Sequence, residues 1–122
     1  MGSAVLHIEP RTDQVRPARL VAAAAARQAG LDESTVDDVR LAVGEAVTRA
    51  VLRQLQTGSD DPITVTLTSD DDVFTVTVND HSPAADDPDG GVALTVAVRL
   101  AIGGEHRTTE AGSTVSLLWP AV

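Results

Sequence analysis

The chain has 122 residues and a formal net charge of −9, which suits one compact domain with a single core over residues 1–122. It contains neither cysteine nor lysine, so disulfides, thiolate catalysis, Schiff-base chemistry and a lysine-containing phosphate loop are excluded. Its nine basic residues are scattered arginines, and no apolar run is long enough to span a membrane, so we expect neither a nucleic-acid nor a membrane partner.

The first half of the chain predicts one strand and two helices. Residues 4–8 are typical of a short strand, and a helix is expected over about 14–29. A second, longer helix can begin after Asp32 or Ser34, either of which can cap it, and should end near Gln56. This helix carries one apolar stripe, formed by Val36, Val39, Val43, Val47 and Ala50.

The second half predicts two hairpins separated by a loop and a helix. The expected elements are strands at 63–69 and 73–78, a loop at 80–91, a helix at 92–102, and strands at 105–110 and 113–119. The resulting order, β-α-α-β-β-α-β-β, favours an α+β fold. We expect a two-layer sandwich in which helices cover one face of a mostly antiparallel sheet. A ladder of threonines should line the other face.

Four short motifs occur in order along these elements. They are Glu45-Ala46-Val47-Thr48-Arg49, Val78-Asn79-Asp80, Gly91-Val92-Ala93-Leu94 and Gly112-Ser113-Thr114-Val115. At this spacing they resemble the nucleotide-site motifs of the GHKL (Bergerat-type) ATPases. The resemblance extends over nearly the whole chain. It is strongest to the anti-sigma factors and serine kinases of bacterial partner-switching systems.

The resemblance implies a role for each motif. Glu45 would be the general base of phosphoryl transfer, and Asp80 would accept a hydrogen bond from the adenine amino group. Gly91 and Ala93 would lie beneath the phosphates, and Thr114 would close the adenine pocket. ATP and Mg²⁺ would be the cofactors if this site is retained.

The first predicted helix contributes a further implied role. In the resembling anti-sigma factors, an arginine at the position of Arg19 contacts both the sigma factor and its antagonist. Arg16 and Arg27 could belong to the same face. Alternatively, Arg19 is an ordinary solvated helix residue.

Several positions depart from the family pattern. Arg49 stands where the family has the asparagine that holds Mg²⁺, and a fixed cation there opposes metal binding. Ala93 replaces a glycine, so its methyl group would crowd a backbone that must approach phosphate. Three loop aspartates would repel a triphosphate; these are Asp86, Asp87 and Asp89. We therefore expect a nucleotide site that is lost or weakened, with no bound metal.

Two of the candidate residues also have a purely structural interpretation. Glu45 could simply pair with Arg49 one helical turn away. Asp80 could cap the turn to Ser82 instead of binding adenine.

The other acidic and histidine residues give no sign of a metal site. The loop aspartates lack the spacing of a calcium loop and are expected to be solvated. The histidines lie in separate segments without ligand spacing; they are His7, His81 and His106.

Three functions remain open at this stage. The first is an anti-sigma factor that sequesters an alternative sigma factor and yields to a STAS-type antagonist. The second is an active serine/threonine kinase that phosphorylates the antagonist with ATP. The third is an adaptor or dimerisation module unrelated to sigma factors, and homodimers are possible in each case. We expect a cytoplasmic protein because no secretory signal is visible.

Overall fold

The computed structural model describes residues 2–83 and 86–121. Its strands are β1 (Gly2–Ile8), β2 (Ile63–Asp70), β3 (Val73–Asn79), β4 (Gly103–Thr109) and β5 (Gly112–Pro120). Its helices are α1 (Val15–Gln28), α2 (Glu33–Thr57) and α3 (Val92–Leu100). The predicted order of elements is therefore confirmed. Residues 84 and 85 of the predicted loop lie outside the described residues.

The strands form one antiparallel sheet in the order β1-β2-β3-β5-β4. Alternate residues of β2, β3 and β5 are buried, because they face the layer of helices. The alternating threonines of β2 and β3 lie on the other face and are partly exposed. The predicted α+β sandwich, with helices on one face of an antiparallel sheet, is confirmed.

Both ends of α2 are fixed by local chemistry. The Asp32 side chain accepts a hydrogen bond of 2.8 Å from the Thr35 N–H at the first turn, which satisfies one of the unpaired donors there. At the other end Gly58 adopts φ +72°, a left-handed conformation that glycine reaches without steric cost. Of the two predicted capping residues, Asp32 is the one that caps the helix.

Several predicted boundaries shift by one or two residues in the structure, and the start of α1 and the end of α3 are two of them. A short 3-10 turn at Thr12–Gln14 precedes α1, so the regular helix begins one residue later than expected. Helix α3 ends at Leu100 instead of residue 102. The Ile102 N–H donates to the Leu118 carbonyl at 3.0 Å, so the chain has already joined the sheet at that point.

The core lies between the sheet and the helices. The whole apolar stripe predicted on α2 is buried, which confirms that face as the centre of the core. Helix α1 contributes only small side chains to its buried face; they are Ala18, Ala22, Ala23 and Ala26. Small residues at a helix contact allow the two backbones to approach closely. Within the described residues, no helix is both long and apolar enough to cross a membrane.

Close packing against α1 predicts that the free energy of unfolding depends sharply on side-chain volume at the buried face of this helix. Ala22 is fully buried, whereas Ala24 on the same helix is exposed. We expect Ala22→Leu to lower the free energy of unfolding by about 1–3 kcal/mol, because the added carbons must displace packed neighbours. Ala24→Leu, the matched control, should change it by less than about 0.5 kcal/mol. Urea unfolding measures both values, and equal effects would contradict this packing.

Candidate functional site

Two arginines on the second half of α2 are buried at the motif-bearing end of the sheet. Arg49 and Arg53 lie one helical turn apart, with side-chain exposures of 2% and 0%. A buried guanidinium stays charged, so each needs counter-charges and hydrogen-bond acceptors nearby. Asp80 and Asp87 supply the counter-charges, and the four residues together are named the buried ion cluster below.

Arg53 is held from three sides. Its Nε donates to Asp80 Oδ2 at 2.9 Å, and its Nη1 donates to Asp87 Oδ1 at 3.2 Å. Its Nη2 donates to the Ser82 carbonyl at 3.1 Å. One side chain of α2 thereby ties together the end of β3 and the loop that follows it.

Arg49 binds the same loop and the start of β5. Its Nε donates to Asp87 Oδ2 at 2.8 Å, and its Nη1 donates to the Ser113 hydroxyl at 2.8 Å. The predicted pair between Glu45 and Arg49 is wrong. The Arg49 guanidinium turns instead towards Asp87, whose carboxylate also bridges to Arg53.

Asp80 is engaged through both carboxylate oxygens. While Oδ2 accepts from Arg53, Oδ1 accepts from the N–H groups of Ser82 and Ser113 at 3.0 and 3.1 Å. Asp80 therefore caps the turn to Ser82, as its structural interpretation predicts, and its binding of adenine stays a prediction. The start of β5 approaches so closely that a Cβ on Gly112 would lie 1.9 Å from the Asp80 carbonyl oxygen.

Asp87 is not the solvated loop residue that the sequence suggested. Its side chain is only 10% exposed and bridges Arg49 and Arg53. Burial acts to raise the pKa of this carboxyl, but the hydrogen bonds and charges of both arginines outweigh it and hold the pKa below its ordinary value. Asp86, in contrast, is exposed as predicted.

Asp89 occupies the N-terminus of α3. Its carboxylate accepts from the Gly91 N–H at 3.0 Å and from the Ala93 N–H at 2.9 Å. A carboxylate at this end of a helix satisfies free donors and complements the helix dipole. These are the amides that the family resemblance assigned to phosphate. Ala93 itself is buried.

The other predicted nucleotide residues do not join the cluster. Glu45 is half-buried, and among the described residues its side chain has no hydrogen bond or ion pair. Strand alternation places Thr114 on the open face of the sheet, where its hydroxyl accepts from the Asn79 amide. Its neighbour Ser113 points inward to Arg49 instead. In the described part of the chain, no three His, Asp or Glu side chains converge as metal ligands.

Sequence reasoning missed Arg53, although a signal for it existed. Arg53 lies three residues after Ala50 and continues the apolar stripe of α2. A charged residue in register with a buried stripe indicates a buried ion pair. The partner could not be identified in the same way, because Asp80 and Asp87 lie 27 and 34 residues further along the chain.

A second surface lies at the other half of α2. Arg16 and Arg19 of α1, both predicted to contact partners, line a cavity of about 260 Å³ together with Leu20, Arg40 and Leu41. We name these five residues the basic–apolar patch. Leu20 and Leu41 are 56% and 52% exposed. Arg27, the third arginine considered for this face, does not line the cavity and binds Glu33.

Gly44 positions Arg19 at this patch. A Cβ on Gly44 would lie 2.5 Å from Cδ of Arg19, so the aliphatic stem of Arg19 runs directly across the bare backbone of α2. The absence of a side chain at residue 44 therefore sets the path of the arginine.

The buried ion cluster predicts that two arginines of α2 contribute very differently to the free energy of unfolding. Arg53→Ala should lower the free energy of unfolding by about 3–5 kcal/mol, because it leaves Asp80 buried without its counter-charge. Arg40→Ala removes a partly exposed pair with Asp37 and should cost at most about 1 kcal/mol. Chemical denaturation of both variants gives the comparison. A loss for Arg53→Ala no larger than that for Arg40→Ala would contradict the cluster.

The solved structure of the RsbU and RsbW domains of Rv1364c from Mycobacterium tuberculosis superposes with a TM-score of 0.76 and 19% identity, which shows a shared fold. The match covers 97% of this chain and 32% of that one, so this chain spans about a third of its length. No curated protein gives a match. The family model described as a histidine kinase-like ATPase domain matches residues 8–119. The chain therefore belongs to the histidine kinase-like ATPase domain family.

Proposed function

We propose that the chain is an anti-sigma factor, which sequesters an alternative sigma factor and is countered by a STAS-type antagonist. The observation that carries this proposal is the basic–apolar patch on α1 and α2. Its position matches the place where the resembling anti-sigma factors use an arginine of the first helix. The fold shared with a chain that contains an RsbW domain also supports it.

The chemistry of the patch suits an acidic, amphipathic segment of a partner. Three of the nine arginines of a chain with net charge −9 gather around two exposed leucines. Exposed apolar side chains ringed by charge are typical of protein interfaces, in which the apolar centre supplies affinity. The surrounding guanidiniums would then select an acidic partner and speed its association.

The same proposal includes a nucleotide site that has lost or weakened its binding of ATP and Mg²⁺. Arg49 supplies a fixed cation at the position of the expected metal ligand. Both carboxylate oxygens of Asp80 are already engaged, and Asp89 holds the amides at the start of α3. These residues do not fit a magnesium nucleotide as they are arranged. Release of the sigma factor would then depend on competition by the antagonist.

The alternative is an active serine/threonine kinase, for which the position of Glu45 is the relevant observation. Glu45, the candidate general base, is free of Arg49 and has no ion pair among the described residues. A carboxylate in that state could accept a proton from a serine hydroxyl if a nucleotide were bound nearby.

The patch predicts a charge-dependent interaction. Arg19→Glu should weaken binding to the cognate sigma factor by at least about 30-fold, because it places a carboxylate against an acidic partner. Arg107→Glu carries the same charge change on β4, away from the patch, and should leave the affinity within about threefold. Titration against purified alternative sigma factors from the same genome measures the affinities. Failure of all of them to bind would overturn the proposal, and a stable homodimer in that case would favour the adaptor function.

Nucleotide binding separates the two versions of the proposal. We expect calorimetry with Mg-ATP to give no heat of binding at protein concentrations near 100 μM, a range that detects dissociation constants up to about 1 mM. Micromolar binding would favour the kinase. Transfer of labelled phosphate to a STAS-type antagonist, abolished by Glu45→Gln, would then establish it.

A further inference from the structure

We infer that Asp87 is a built-in anionic ligand, and that Arg49 and Arg53 form a metal-independent anion site which this carboxylate fills. The site takes phosphate-type anions, with inorganic pyrophosphate as the simplest probe. This anion site belongs to the isolated chain and needs no protein partner.

The bonds of Asp87 resemble those of a bound anion more than those of an ordinary loop residue. Each of its oxygens accepts from a different guanidinium, Oδ2 from Arg49 at 2.8 Å and Oδ1 from Arg53 at 3.2 Å. The two arginines project from one rigid helix, one turn apart, so the spacing of their donors does not depend on the loop. Guanidinium groups bind carboxylate and phosphate with the same donor geometry.

Charge balance explains why the site can accept another anion once Asp87 is removed. The buried ion cluster contains two arginines and two aspartates and is neutral as a whole. Without Asp87, two guanidiniums would share only Asp80, whose own oxygens are fixed by Arg53, Ser82 and Ser113. The resulting buried positive charge is unfavourable, so an external anion would be drawn in.

Asp89 strengthens the same arrangement from the side of α3. It lies two residues after Asp87 and already places a carboxylate on the first amides of that helix. The loop thus offers one carboxylate to the arginines and another to the helix terminus. The carboxylates of Asp87 and Asp89 therefore occupy two positions, beside the arginines and at the helix N-terminus, whose donors also suit phosphate groups.

The test compares two neighbouring aspartates of the loop. Asp87→Ala removes the bridging carboxylate and leaves room beside the arginines, whereas Asp86→Ala removes an exposed one with the same change in net charge. Pyrophosphate binding is measured without metal, in the presence of EDTA, by calorimetry and by the rise in Tm. We expect Asp87→Ala to bind pyrophosphate at least about tenfold more tightly than the wild type or Asp86→Ala.

Two further variants keep the experiment decisive. Asp87→Ser also removes the carboxylate and leaves room beside the arginines, and it serves if Asp87→Ala does not fold; it should also show the gain. Adding Arg49→Ala to either variant should abolish the gain, because one of the two guanidiniums is then missing. Equal pyrophosphate binding by the Asp86 and Asp87 variants, or no gain in any folded Asp87 variant, would overturn the inference. Neither result bears on binding of a sigma factor.

Discussion

A guanidinium cannot be buried without counter-charges, and this constraint organises the motif-bearing end of the molecule. The side chains of Arg49 and Arg53 extend from α2 among apolar residues. Their counter-charges and hydrogen-bond acceptors come from Asp80 at the end of β3, Asp87 in the loop and Ser113 in β5. Every buried polar side-chain atom in the described residues has a partner. Removing any one member would leave a charge or donor unsatisfied in a region of low dielectric.

The 25-residue helix α2 divides its surface between two tasks. Its first half carries Arg40 and Leu41, which together with residues of α1 form the basic–apolar patch. Its second half carries the arginines of the buried ion cluster, and Glu45 lies between the two regions. One rigid element therefore holds a candidate protein-binding surface and the buried ion cluster in fixed relation.

Local patterns predicted most of the fold, and they failed where long-range contacts decide. Alternation of apolar and polar residues predicts the strands, the apolar stripe predicts α2, and Asp32 is one of two possible caps of that helix. The motifs led to Asp80, but its hydrogen bonds with Arg53 and Ser113 join segments 27 and 33 residues apart. The hydrophobic periodicity of a sequence carries no information on such long-range pairings. The same limit explains why the sequence alone permits a Glu45–Arg49 pair and predicts a solvated Asp87.

The use of arginine alone as the buried cation has a consequence for the response to pH. Guanidinium groups do not lose their proton in proteins, so alkaline solution leaves the positive half of the buried ion cluster intact. Asp87 behaves differently. Because its pKa is held below the ordinary value, its contribution to stability is complete above that value and is lost as the carboxyl takes up a proton in acid. Acidic solution, and not alkaline solution, therefore weakens the buried ion cluster.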